Sequence, residues 1–426
     1  MELFVKILTN VFGNATIILG LVALFGCLLL RRKWTDTLLA VIKTMMGYEI
    51  VSAGAGLMGT AMTPLIKYIY RVLNARVLNA QGFVQNTWPA YSASMAAYGT
   101  QIAIVFLIGF VLNMLLVRFT KLKGIALTVH LMLFVASAMV PMCMATGANP
   151  TLVVIVCGIA AGLYYWLVTT YNAKLMRSLD MGDEYTIFVF CWWGFLLSKL
   201  LKKVFRKDTD IDEIKFPSSL MWLKDINGVL TVVMFLLYMG FGLVAGVDYM
   251  QELAGDQFWW VSTLLNSIQF AMSISIVLFG VRMLIAELVP AFAGITEKLL
   301  PDAVPGLDYP TVFQFSPSAV MFGFVFNMVG SLLATVVMIV VGMPVIIIPG
   351  IQGQFFEGAV VGVFANRIGG TKNVIVSNLL YGFITMFVLA LCVNANPIWP
   401  MVGGFYENCD YCVLGLALSK MFALIA

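Results

Sequence analysis

Long runs without a charged residue alternate along this chain with short clusters of Lys and Arg, and the length of the runs sets what they form. About 20 helical residues cross a hydrocarbon layer. The run Ile7–Leu30 is long enough for one crossing, too long for a signal-peptide core, and ends in no small-residue cleavage site, so it reads as a retained first helix. An amphipathic helix from about Leu38 to Met62 carries Lys43 and Glu49, and a semi-polar run ends near Thr100. Further spans fall at Gln101–Val117, in two helices of Gly124–Ala173 divided by Gly147-Ala-Asn-Pro150, and at Ile226–Val247 and Gln257–Val281. Tyr309–Phe356 has no charge and room for two elements, punctuated by Pro344, Pro349 and Gly350, and Asn373–Val393 and Val413–Ala426 follow. The pattern predicts an all-α polytopic membrane protein with about ten or eleven transmembrane helices and re-entrant segments.

Composition agrees, and excludes a water-soluble globule. Of 426 residues, 61% are hydrophobic and 11% charged, about half the charge that a soluble surface carries. Arg31-Arg32-Lys33, Arg118–Lys123 and Lys199–Lys207 fall at every second membrane exit, and Asp248, Glu252 and Asp256 occupy an intervening one. The positive-inside rule then places the N-terminus outside and the largest polar loop, Lys202–Pro217, on the inner, cytoplasmic side of a cell membrane. The net charge of +4 is spent on topology, and no patch is long enough to track a nucleic acid. The seven Cys are scattered, with one close pair, Cys409 and Cys412, and no neighbouring His, so neither a metal site nor a cofactor is expected.

Gly109-Phe-Val-Leu-Asn113-Met recurs as Gly323-Phe-Val-Phe-Asn327-Met. An aromatic-Pro segment precedes each copy, Trp88-Pro89 and Tyr309-Pro310, and before that an amphipathic helix containing Lys43 or Arg282. Counting spans, one copy enters the membrane from outside and the other from inside. That is an inverted repeat, the construction of transporters whose site lies at the midplane between broken helices. The expected division is 1–220 for the first repeat with its loop, 221–400 for the second, and 401–426 for an additional helix.

The segment Gly280-Val-Arg-Met-Leu-Ile-Ala-Glu287-Leu-Val-Pro-Ala-Phe-Ala-Gly294, with Lys298-Leu-Leu-Pro301, Leu307-Asp308 and Phe315-Ser-Pro-Ser-Ala-Val320, resembles the ascorbate-type (SgaT/UlaA) enzyme IIC family of the bacterial phosphoenolpyruvate-dependent sugar phosphotransferase system. So do Ile348-Pro-Gly350, Phe355-Phe356, Gly362-Val-Phe-Ala-Asn366-Arg-Ile-Gly-Gly370, Ile42-Lys-Thr44 and Ala53-Gly54-Ala-Gly56. The likeness covers nearly the whole chain. It implies a homodimeric inverted-repeat subunit, with a core domain and a V-motif-like scaffold domain, that carries a sugar acid inward while enzyme IIA and IIB partners phosphorylate it.

The same resemblance implies substrate contacts at Thr87, Trp88, His130 and Asp308, and at Gly54 in the glycine-rich motif. It departs where a Gln four residues after the His becomes Phe134, and where a Gly-His-Gln-Gln run becomes Phe188-Val189-Phe190-Cys191. Phe134, Val189 and Phe190 thus stand at ligand positions without ligand chemistry. A buried hydroxyl without a partner costs about 1 to 3 kcal/mol, so three losses predict weak ascorbate affinity. Glu49 is the candidate compensation, either touching substrate or sitting as a satisfied acid inside the bundle. His130, the one histidine, is a site residue or a structural hydrogen-bonding group. Asp308 contacts substrate or caps the half-helix that follows it. Glu287 is expected to pair with Arg282 or to reach the interface.

Two function classes fit. The first is a permease subunit for a small sugar, polyol or sugar acid, with no catalytic residue and with the phosphoryl donor on another polypeptide docked at Lys199, Lys202, Lys203, Arg206 and Lys207. The alternative is a secondary transporter of the same fold, coupled to H⁺ through Glu49, Asp308 or His130.

Overall fold

The computed structural model describes residues 14–74, 82–85, 88–205, 209–214, 225–395 and 408–425. Thr87, Arg206 and Lys207 lie outside them. In chain order the elements are α1 (Ala15–Leu29), α2 (Trp34–Asn74), β1 (Gly82–Gln85), α3 (Trp88–Phe119), β2 (Gly124–Ala126), α4 (Val129–Met144), α5 (Pro150–Ser178), β3 (Thr186–Ile187) and α6 (Trp192–Val204). Then come α7 (Ile226–Ala245), α8 (Val247–Ala254), α9 (Trp259–Lys298), β4 (Val304–Leu307), the 3₁₀ segment Tyr309–Phe315, α10 (Pro317–Val340), β5 (Val345–Ile348), α11 (Ile351–Gly369), α12 (Thr371–Ala395) and α13 (Cys409–Ala423).

Among the described residues seven helices are long and apolar enough to cross a membrane, and α1 and α4 are apolar but shorter. The chain is a multi-pass, all-α membrane protein, and among the described residues it has fewer full-length crossings than the ten or eleven expected. The reason is how the apolar runs are used. Helices α2 and α9 extend to 41 and 40 residues, each with one internal proline, and absorb polar stretches that the pattern set apart. The charge-free stretch after Tyr309 is divided among a 3₁₀ segment, α10, β5 and the start of α11. The expected break at Gly147–Pro150 is present: the Asn149 side chain accepts from Thr151 N at 2.9 Å, and Pro150 opens α5 where its missing N–H costs nothing.

Helices α2 and α9 cross at glycines. A Cβ on Gly47 would stand 2.7 Å from Leu284 N, one on Gly54 2.9 Å from Val277 N, and one on Gly280 2.7 Å from Val51 N. The paired numbers fall on α9 as they rise on α2, so the two helices run antiparallel. Gly54 is therefore a packing residue at this crossing, where its absent side chain admits the neighbouring backbone. The same crossing corrects the expectation for Glu287, which pairs with Lys43 of α2 at 2.9 Å and not with Arg282.

Among the described residues five short strands form two small parallel sheets. One joins β1 to β5, and the other has the order β2-β4-β3. The edges of the second sheet are closed by side chains, since a buried strand edge cannot turn to water. Thr170 Oγ1 accepts from Gly124 N at 3.1 Å, Asn113 bridges Gly124 O and Ala126 N at 3.2 and 2.9 Å, and Asn172 Nδ2 donates to Ile187 O at 3.0 Å. At its centre, a Cβ on Gly306 would stand 2.6 Å from Thr169 Cγ2, so the middle strand passes only as glycine.

Candidate functional site

Because β2, β4 and β3 are parallel, the chain leaves all three on one side, and three distant segments converge there: Thr128–His130 after β2, Asp308 after β4, and Phe188–Cys191 after β3. Carboxyl ends of parallel strands are where ligands gather in open sheets. The convergence is held by Leu127 N donating to Gly306 O and Phe188 N donating to Leu307 O, both at 2.9 Å.

His130, in the first turn of α4, lies with Nε2 3.5 Å from Asp308 Oδ2 and Nδ1 3.4 Å from the Tyr48 hydroxyl of α2. Both distances are long for hydrogen bonds, which leaves the imidazole and the carboxylate with capacity to spare. His130 is 29% exposed and Asp308 16%, so both reach the surface of the site. Asp308 also caps the 3₁₀ segment, since its Oδ1 accepts from Tyr309 N at 2.7 Å. The capping role and the place beside His130 coexist: Oδ1 serves the segment while Oδ2 faces the imidazole.

Phe134, one turn after His130, stands edge-on to it with ring centroids 5.7 Å apart. Val189 and Phe190 are fully buried. Phe190 stacks edge-on against Tyr411 of α13 at 4.7 Å, and its backbone N donates to the Tyr309 hydroxyl at 3.2 Å. Phe188–Cys191 is thus part of the packed wall behind Asp308. Trp88 opens α3. Glu49 accepts from Thr16 of α1 at 2.5 Å. It follows Tyr48 by one residue, about 100° around the helix, so it looks away from the imidazole that Tyr48 meets.

Sequence reasoning singled out Glu49 and missed Tyr48, its neighbour, although an aromatic hydroxyl in a Gly-flanked helix was the available signal. It also missed Tyr185, whose hydroxyl donates to Thr311 O at 3.3 Å and accepts from Gln314 Nε2 at 2.9 Å, bracing the 3₁₀ segment from the β3 side. Burial pushes the Tyr185 hydroxyl above the usual tyrosine range, so it remains a donor. Among the described residues no group of His, Cys, Asp or Glu is arranged to hold a metal ion, and the seven Cys are free and buried.

Comparison with known proteins converges on the same reading. The ascorbate-specific PTS system EIIC component of Mycoplasma pneumoniae is 25% identical over 91% of this chain and 66% of its own length, so the chain spans just under two thirds of that relative. Residues 10–406 match the family described as PTS system sugar-specific permease component. The match covers Tyr48, His130, Phe134, Phe188–Cys191 and Asp308, and the chain belongs to the sugar-specific permease component family of the PTS system.

Proposed function

We propose that the protein is the permease subunit, enzyme IIC, of a phosphotransferase system, importing a small sugar, polyol or sugar acid that enzyme IIA and IIB partners release inside as a phosphate ester. The observation that carries this is the meeting of His130, from the first half of the chain, with Asp308, from the second, at the tips of β2 and β4. A polyhydroxylated ligand lying against the adjoining imidazole and carboxylate finds donors and acceptors on both halves, and Phe134 offers an apolar face for sugar C–H groups. Binding that bridges two halves is what alternating access requires, since relative motion of the halves then moves the two walls of the site.

The arrangement of elements supports an inverted repeat. Long helix, strand, helix, strand and two helices follow one another in both halves, with the 3₁₀ segment as the second half's addition. A two-fold exchange of the halves turns the β1–β5 pair into β4–β2, and both pairs occur and are parallel. The antiparallel crossing of α2 with α9 fits the same exchange. Phe134 in place of an amide, with no compensating side chain from Val189 or Phe190, argues for poor ascorbate affinity.

His130 is held within the bundle beside Asp308, so the phosphoryl donor belongs to another polypeptide. The test is uptake into membrane vesicles of radiolabelled ascorbate, pentitols and sugar acids, with and without phosphotransfer partners and phosphoenolpyruvate. Recovery of a phosphate ester, dependent on the partners and indifferent to a protonophore, is the expected outcome. Accumulation of the unmodified compound, abolished by a protonophore, would overturn it in favour of the proton-coupled alternative.

A further inference from the structure

Two of the motifs that carry the family resemblance, Phe315–Val320 and Gly362–Gly370, converge on one place with a third segment. That segment is residues 209–214 of the loop that joins the two halves. Ile211 is buried against Ala319, Ala365 and Val374. Asn366 Nδ2 donates to Asp210 Oδ1 at 2.6 Å and to Ser316 Oγ at 2.8 Å, while its Oδ1 accepts from Ile211 N at 3.0 Å. Arg367 Nη2 donates to Phe315 O at 2.8 Å, and Thr371 N and Oγ1 donate to Thr209 O at 3.0 and 2.8 Å. The middle of the loop is thus fastened to the ends of α10, α11 and α12.

The centre of this clasp is Asp212. Ser316 is the N-cap of α10 but makes no side-chain capping bond, and Pro317 has no N–H to offer. Asp212 supplies the cap from over a hundred residues away: its Oδ1 accepts from Ser318 N at 2.9 Å and its Oδ2 accepts from the Ser316 hydroxyl. A carboxylate there is favoured by the positive end of the helix. Ser316 is also the C-cap of the 3₁₀ segment whose N-cap is Asp308. Seven residues of 3₁₀ helix are about 14 Å long, and their hydrogen bonds are weak enough that the ends need outside support.

We propose that Asp212 is a positioning residue for the candidate substrate site: through Ser316 it fixes one end of the 3₁₀ segment and thereby sets where Asp308, at the other end, stands relative to His130. The loop between the halves is then a strap, and displacing it from the α10 terminus displaces the site carboxylate. The proposal rests on the reading of His130 and Asp308 as substrate contacts. Its test needs no transported compound, so it stands or fails apart from uptake.

The chain has one histidine. Full-length protein with a histidine-free affinity tag and ring-labelled histidine therefore gives one set of NMR signals, those of His130. At fixed pH, Asp308→Asn is expected to shift them. Asp212→Ala and Ser316→Ala are expected to shift or broaden them as well, and Asp212→Ala in the Asp308→Asn background is expected to add nothing. A pure helix cap would lower the melting temperature and leave the His130 signals at their wild-type positions, which would overturn the proposal. Should Asp212→Ala fail to yield folded protein, Asp212→Asn keeps an acceptor for Ser318 N, and Ser316→Ala removes one hydroxyl. Unchanged signals in those two folded variants would be equally decisive against it.

Discussion

The two matched asparagines, Asn113 and Asn327, are both fully buried in their helices, and the structure separates what each does. Asn113 closes the edge of β2. Replacing it by Leu, of similar volume, leaves Gly124 O and Ala126 N without the partner each has now. Ala126 is fully buried, so water does not replace the lost donor or acceptor. At about 1 to 3 kcal/mol for each unsatisfied group, the change costs about 2 to 6 kcal/mol. Asn327 donates to Gln354 O and Oε1, both at 2.9 Å, but Ser331 already donates to the same Oε1 at 2.6 Å, so its loss is cushioned to about 1 kcal/mol. Melting of detergent-solubilised protein, followed by tryptophan fluorescence, is expected to show Asn113→Leu lowered by about 2 to 7 °C and Asn327→Leu by about 1 °C. Equal shifts, or the reverse order, would refute the edge-closing argument. Because β2 leads directly to His130, Asn113→Leu should also weaken substrate binding in whatever fraction remains folded.

Other outcomes follow from the same contacts. Gly280→Val places side-chain atoms where Val51 N and Gly47 O now lie and is expected to abolish assembly, read as loss of the monodisperse peak on size exclusion, whereas Gly240→Ala, with open space around it, is expected to leave that peak unchanged. The Lys43–Glu287 pair is 43% and 21% exposed, so Glu287→Gln should cost no more than about 1 kcal/mol of stability in a thermal melt. Phe134→Gln adds an amide beside His130 and is expected to raise ascorbate binding, measured by thermal stabilisation, over a wild type that shows little.

How much of this was legible from the sequence depends on what each residue's role draws upon. Asn149-Pro150 announces a helix start by local chemistry alone, and the break it makes between α4 and α5 follows from two residues. His130 and Asp308 stand out because ionisable groups in apolar surroundings are conspicuous, and the likeness to known permeases marked both. The strands are different. Val345–Ile348 and Val304–Leu307 are short apolar runs among other apolar runs, and their pairing partners lie more than a hundred positions away, so nothing local distinguishes them from helix. Tyr48 was hidden beside the more conspicuous Glu49, and only the helix phase, fixed by the Gly47 and Gly54 crossing with α9, decides which of the two faces the site. Asp212 resembled any acid in a polar loop until Ile211 was seen buried beneath it.

The central claim is that a transported compound contacts the His130–Asp308 pair, and the lone histidine makes it directly measurable. Once uptake identifies a transported compound, the rate at which diethyl pyrocarbonate forms N-carbethoxyhistidine in purified protein carrying a histidine-free tag, read by the ultraviolet absorbance of that adduct, reports on His130 alone. Saturating transported compound is expected to slow that modification several-fold in the wild type and to have no effect in Asp308→Asn. An unchanged rate in the wild type at saturation, with transport intact, would contradict the account.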